Sequence, residues 1–159
     1  MLLKPDFNLK NIYEIDLDLL KNMGIKAIFF DLDSTIMVSK LGEYTEKTAQ
    51  WLKAVDEQFF IAVISNNTKC EYLEKVQSVS CFEIVGNAKK PATKAMRDVL
   101  AKNNINPSEV VIVGDRPLTD ILAGKLLGAK TVLVGSINAH NEGVPTRFVR
   151  WLERRFIRP

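Results

Sequence analysis

The sequence predicts an α/β fold: one domain built on a parallel sheet of about five strands flanked by helices. Two features predict it. Short apolar runs alternate with segments of helical period, and polar or charged clusters follow the ends of successive runs. The chain has 159 residues, 47% of them hydrophobic and 26% charged, which suits a single ordinary globular domain spanning 1–159.

The predicted strands are Lys26 to Phe30, Phe60 to Ile64, Phe82 to Val85, Val110 to Val113 and Thr131 to Val134. Thr45 is placed to cap a helix through Trp51, Leu52 and Val55. Ala92, Ala95, Met96, Val99 and Leu100 recur at helical spacing behind Pro91, which suits a first helical turn. Leu118 to Leu127 reads as a crossover helix ending near Gly128, and Asn106, Pro107 and Ser108 mark a loop.

No apolar run approaches the roughly 20 residues a membrane-spanning helix requires. The amino-terminal stretch lacks a continuous apolar core, so a cytoplasmic location is expected. Cys70 and Cys81 are too few for a disulfide framework or a zinc site and read as buried or half-buried thiols. The net charge of +3 is concentrated in the segment 144–159, where five arginines face Glu153 alone.

Asp31, Leu32, Asp33, Ser34 and Thr35 directly follow the first strand. Two carboxylates so placed repel each other unless they share a proton or a cation, and a hard divalent ion such as magnesium suits them. A turn with an aspartate cap is the plainer reading of that pair alone. The second strand runs into Ser65, Asn66 and Asn67, the third is followed by Lys90, and the fourth by Gly114, Asp115, Arg116, Pro117, Leu118, Thr119 and Asp120. Each cluster is weak singly. Their order gives them weight: carboxylates, hydroxyl, ammonium and further carboxylates, each beyond a successive strand, where ligands of parallel sheets bind.

This order resembles the four motifs of the haloacid dehalogenase superfamily, with its Rossmann-like domain. The resemblance spans about Lys26 to Val134 and implies Asp31 as nucleophile and Asp33 as general acid and base. It also implies Ser65 and Lys90 as phosphate holders, and Asp115 and Asp120 as acids on the metal side. With the first pair, the expected magnesium set is Asp31, Asp33, Asp115 and Asp120. Asn66 either joins Ser65 at the phosphate or caps its loop. The second aspartate of the first motif implies a phosphatase rather than a dehalogenase. A receiver domain has similar groups, but its lysine lies on the last strand, whereas here acids follow Lys90.

The intervals from Asp33 to Ser65 and from Ser65 to Lys90 are each consumed by a helix and a strand, leaving no length for a cap domain. An uncapped site implies a large substrate or a covering partner. In the segment 144–159, Phe148, Trp151, Leu152 and Phe156 share one helix face while the arginines mostly occupy the rest. Such a helix either packs on the core or rests on an anionic membrane surface. Nucleic acid is disfavoured, because no base-stacking aromatic pattern accompanies the arginines.

The amino-terminal segment, GIKAIFFDLDST, SNN, AKKP, GDRPLTD and TRFVRWLERR together resemble the YqeG-type phosphatases, a subgroup that includes phosphatidylglycerophosphate phosphatases. That implies a phosphorylated lipid head group as substrate. Ser34 stands where asparagine is frequent in that subgroup. Phosphoprotein or soluble phosphate esters, and an RNA- or ribosome-associated module, remain the alternatives; the sequence leaves the oligomeric state open. His140, beside Asn138, Asn141 and Gly143, reads as an exposed loop residue, and Arg116 either meets a substrate phosphate or pairs with an acid.

Overall fold

The structure, a computed structural model, describes residues 2–137 together with Trp151, Leu152 and Arg155. From the amino terminus the elements are β1 (Phe7–Asn8), α1 (Leu17–Asn22), β2 (Ala27–Phe30), α2 (Glu46–Asp56), β3 (Phe60–Ile64), α3 (Cys70–Ser78) and β4 (Glu83–Val85). They continue with α4 (Lys94–Lys102), β5 (Val110–Gly114), α5 (Leu122–Leu127) and β6 (Lys130–Leu133).

All strand pairs are parallel, and the sheet order is β1-β6-β5-β2-β3-β4. β2 and β5 are buried at every position, as strands covered on both faces must be. Because side chains alternate across a strand, β2 feeds two cores. Ile28 and Phe30 pack with Leu52, Val55 and Val76 from α2 and α3. Ala27 and Phe29 face Met96, Val99 and Leu100 of α4 and Ala123 and Leu127 of α5. From β2 the chain winds first through β3 and β4, then returns through β5 and β6 on the other side. That reversal opens the crevice between the carboxyl ends of β2 and β5.

Thr45 caps α2 as expected, its side chain accepting from the Thr48 N–H, and Gly128 ends α5 with φ +86°, a conformation costly for residues with a Cβ. A single wide helical turn, Pro117–Ile121, precedes α5.

Three details differ from the sequence reading. A sixth strand, β1, joins the sheet edge beside β6; at two residues it is too short to show a period. Pro91 does not start α4, which begins at Lys94. The preceding chain makes a turn, with Ala92 N–H donating to Lys89 O, and a cis Lys90–Pro91 bond. Cys70 and Cys81 are both exposed, because one opens α3 and the other follows its end instead of facing the core.

Trp151, Leu152 and Arg155 are helical and exposed, and the Arg155 guanidinium lies 5.4 Å from the Trp151 ring centroid. Phe148, Phe156, the other arginines of the tail and His140 lie outside the described residues. Among the described residues no helix is long and apolar enough to cross a membrane.

Candidate active site

Asp31 is the first residue beyond β2, and its N–H still pairs with Val113 O of β5 at 2.8 Å. The chain then turns sharply. The Ile36 and Met37 N–H groups both donate to Leu32 O, and Ser34 takes φ +71°, a left-handed conformation that asparagine adopts more readily than serine. This turn presents Asp31 and Asp33 to different surroundings although only Leu32 separates them.

Lys90 is the hub of the site. Its side chain is 2% exposed, and its Nζ donates to Asp31 Oδ1 at 2.7 Å and to Asp120 Oδ1 at 2.6 Å. Asn66 grips the Lys90 backbone on both sides: Oδ1 accepts from Lys90 N–H at 2.7 Å and Nδ2 donates to Lys90 O at 3.0 Å. Both polar ends of Asn66 are thus engaged in delivering the lysine. Ser65 is buried, and its Oγ accepts the Asn67 N–H at 3.1 Å. Its hydroxyl proton is the part left to donate to a ligand.

Asp120 reaches back from the Pro117–Ile121 turn, where its Oδ2 accepts the Arg116 N–H at 3.1 Å. It passes over Gly114, where an added Cβ would collide with the Asp120 side chain. Glycine at that strand end is therefore required for the acid to reach the crevice. Asp115 is fully buried beside it. The Thr35 hydroxyl links the motifs, lying 3.4 Å from Asp31 Oδ2 and 3.3 Å from Asp115 Oδ1.

The carboxylates of Asp31, Asp115 and Asp120 converge, with one ligand atom from each within 4.8 Å of the others. Three carboxylates around one ammonium leave about two negative charges in a buried place, and oxygen donors of that charge fit a hard divalent cation. Asp33 stands outside this trio. Its side chain meets Tyr72 and Asn67 instead. The sequence reading did not single out Thr35, Asn67 or Tyr72 for these contacts; Thr35 and Asn67 lay inside quoted motifs, Tyr72 in none.

Burial pushes the Asp31 carboxyl up to about 6, and the neighbouring Asp120 and Asp33 add to the rise while Lys90 opposes it. For Lys90, burial works against the charge, but Asp120 and Asp31 outweigh it and hold the ammonium above the usual lysine range. Lys90 is therefore charged at every physiological pH.

These groups open on a cavity of about 200 Å³ lined by Asp31, Asp33, Ser65, Lys90, Arg116 and Thr119, among others. A larger cavity of about 430 Å³ lies between α2 and the Val79–Phe82 segment and is lined mainly by apolar groups such as Leu52, Val79 and Phe82. Its lining includes none of the carboxylates of the trio. Chemistry places the candidate site at the smaller one, where carboxylates, an ammonium and a hydroxyl converge.

Residues 1–137 match the family model described as mitochondrial PGP phosphatase. The chain is 30% identical over 154 residues to the probable phosphatase YqeG of Bacillus subtilis (strain 168), covering 96% of this chain and 88% of that protein. It is 32% identical over 160 residues to phosphatidylglycerophosphate phosphatase 1, chloroplastic/mitochondrial, of Arabidopsis thaliana, covering 94% of this chain and 45% of that one. Among solved structures, the 2-haloacid dehalogenase of Pseudomonas syringae pv. Tomato DC3000 superposes with a TM-score of 0.57 at 13% identity, covering 80% of this chain and 99% of the other, a likeness of fold. By that family match and by the site its fold assembles, the chain belongs to the mitochondrial PGP phosphatase family and is a phosphatase of the haloacid dehalogenase type.

Proposed function

We propose that the chain hydrolyses a phosphomonoester through a phosphorylated Asp31, with magnesium as cofactor, and that its substrate is phosphatidylglycerophosphate. The observation that carries the chemistry is the buried contact of Lys90 Nζ with Asp31 and Asp120. A carboxylate approaching a phosphate dianion is repelled at close range, and this ammonium offsets part of that repulsion in a water-poor crevice.

Asp31, Asp115 and Asp120 would hold the metal. When bound, magnesium supplies positive charge against the phosphoryl oxygens. The Ser65 hydroxyl donates to the phosphoryl group and, with Lys90, holds it against Asp31. An Asp31 oxygen bonds to phosphorus while the ester bond to the leaving oxygen breaks, and Asp33 passes its proton to that oxygen. Water then attacks the acyl phosphate on Asp31. Asp33 takes the water's proton, inorganic phosphate leaves, and both aspartates are regenerated.

The lipid substrate rests on the family match and on access. Among the described residues, α2 and α3 fill the intervals where a cap would be inserted. Two exposed apolar side chains flank the mouth: Leu118 adjoins Thr119 of the cavity wall, and Ile137 follows β6 with its N–H donating to Ser34 O at 2.9 Å. Such groups suit the edge of a lipid aggregate, and we assign the enzyme to the cytoplasmic side of a membrane, held peripherally.

The test is release of phosphate from phosphatidylglycerophosphate in mixed micelles, beside soluble sugar, nucleotide and peptide phosphates, with magnesium and with Asp31→Asn as control. The lipid should be the best substrate and the variant inactive on all of them. Turnover confined to soluble esters or to phosphopeptides would remove the lipid reading, and an active Asp31→Asn would remove the nucleophile.

A further inference from the structure

The Asp33 carboxylate is held by two donors to which the sequence motifs assign no role. The Tyr72 hydroxyl, on the first turn of α3, donates to Asp33 Oδ1 at 2.7 Å, and Asn67 Nδ2 donates to Asp33 Oδ2 at 3.2 Å. Both donors are themselves fixed. Lys69 N–H donates to Asn67 Oδ1 at 2.9 Å, so nitrogen is the end of that amide that faces Asp33. A carboxylate only accepts, so at 2.7 Å the Tyr72 hydroxyl proton is the one directed at it. The sulfur of Met37, 3.5 Å from the Tyr72 oxygen, is the weaker competitor for that proton.

We propose that Tyr72, assisted by Asn67, is a positioning residue that fixes the Asp33 carboxyl so that its transferable proton faces the leaving-group oxygen. This rests on the reading of Asp33 as general acid. Each carboxyl oxygen offers two lone-pair sites, and the two donors occupy one on each oxygen. The proton to be delivered is confined to the remaining sites, and rotation about the carboxyl axis would break both bonds. Asn67 also donates its backbone N–H to Ser65 Oγ at 3.1 Å, so one loop registers the acid against the hydroxyl that holds the phosphate. A hydroxyl at the end of a half-buried aromatic ring is a rigid donor, whereas Asp33 alone on a tight turn has free rotamers.

The test compares kcat/KM, which reports transfer to Asp31 alone, on two esters. Glycerol 3-phosphate has an alkoxide leaving group that needs a proton, and p-nitrophenyl phosphate has one that does not. Asp33→Asn should fall about 100-fold further on the alkyl ester than on the aryl ester. Tyr72→Phe, which removes only the hydroxyl, should fall about ten-fold on the alkyl ester and about two-fold on the aryl ester. In the Asp33→Asn background, Tyr72→Phe should add no further contrast between the esters.

Equal losses on both esters, or none, in Tyr72→Phe while Asp33→Asn keeps its contrast would overturn the positioning role and leave the acid assignment standing. No contrast in Asp33→Asn would overturn the acid assignment, and the positioning role with it. Thermal melts accompany the kinetics. If Tyr72→Phe does not fold, Asn67→Ala carries the same comparison, with a contrast of about three-fold expected and no contrast overturning the inference.

Discussion

Asp6 and Asp31 each receive a lysine ammonium at 2.7 Å, yet the two carboxyl groups shift in opposite directions. Asp6, just before β1, also accepts Thr131 N–H at 2.9 Å and the Thr131 hydroxyl at 2.8 Å, with Lys130 at 3.8 Å. Burial is the largest single influence and raises its carboxyl, but the bonds to Lys125 and Thr131 together more than offset this and hold it below the usual carboxylate range. Asp31 has one ammonium, shared with Asp120, a second acid in the same buried trio, and a raised carboxyl. The difference lies in the number of acids per cation and in access to water. The clamp at β1 stabilises the fold; the cluster at β2 costs stability and holds charge ready for a ligand.

The contrast is sharpest for removal of the shared cation. Lys90→Met leaves Asp31 and Asp120 buried without their ammonium and should destabilise the protein by about 3 kcal/mol or more at pH 7.5. The loss should shrink in urea titrations at pH 5, where Asp31 takes up its proton. A constant loss at both pH values would mean that packing, not charge, is what Lys90 supplies.

Next in size is the opposite sign. Asp31 binds its proton more tightly folded than unfolded, so its charge counts against folding above about pH 6 and the penalty is gone below about pH 4. Asp31→Asn should therefore stabilise the metal-free protein by on the order of 2 kcal/mol at pH 7.5 and by almost nothing at pH 4. Calorimetry at the two pH values reads this directly, and a variant less stable than wild type at pH 7.5 would break the comparison.

The smallest change is expected at the clamp. Asp6→Asn should lose about 1 kcal/mol at neutral pH, because amide replaces carboxylate opposite Lys125 and the Thr131 donors. Since the folded carboxyl lies below its unfolded value, that deficit should fade as pH drops through and below about 4. A deficit that persists at pH 2 would assign the effect to β1 packing.

Much of this was legible in the chain because parallel sheets couple local pattern to function. The apolar runs located five strands to within about a residue, and once they are parallel, Asp31, Ser65, Lys90, Asp115 and Asp120 must gather at one edge. β1 was not legible, since two residues carry no period and its partner strand, β6, lies far along the chain. The Cys70 and Cys81 environments were misjudged for a related reason: burial of a lone side chain follows from helix facing, not from residue type.

The sequence by itself determined which chemical groups reach the rim of the sheet, because hydrophobic periodicity sets the strands and each motif directly follows one. Only the tertiary structure decided which partners those groups meet. Asp31 and Asp33 are separated by a single residue, but one turn sends the first to Lys90, 59 positions away, and the second to Tyr72, 39 positions away. Hydrogen-bond partners at such separations, and the burial that shifts a carboxyl's proton affinity, arise from packing and have no signature in local spacing.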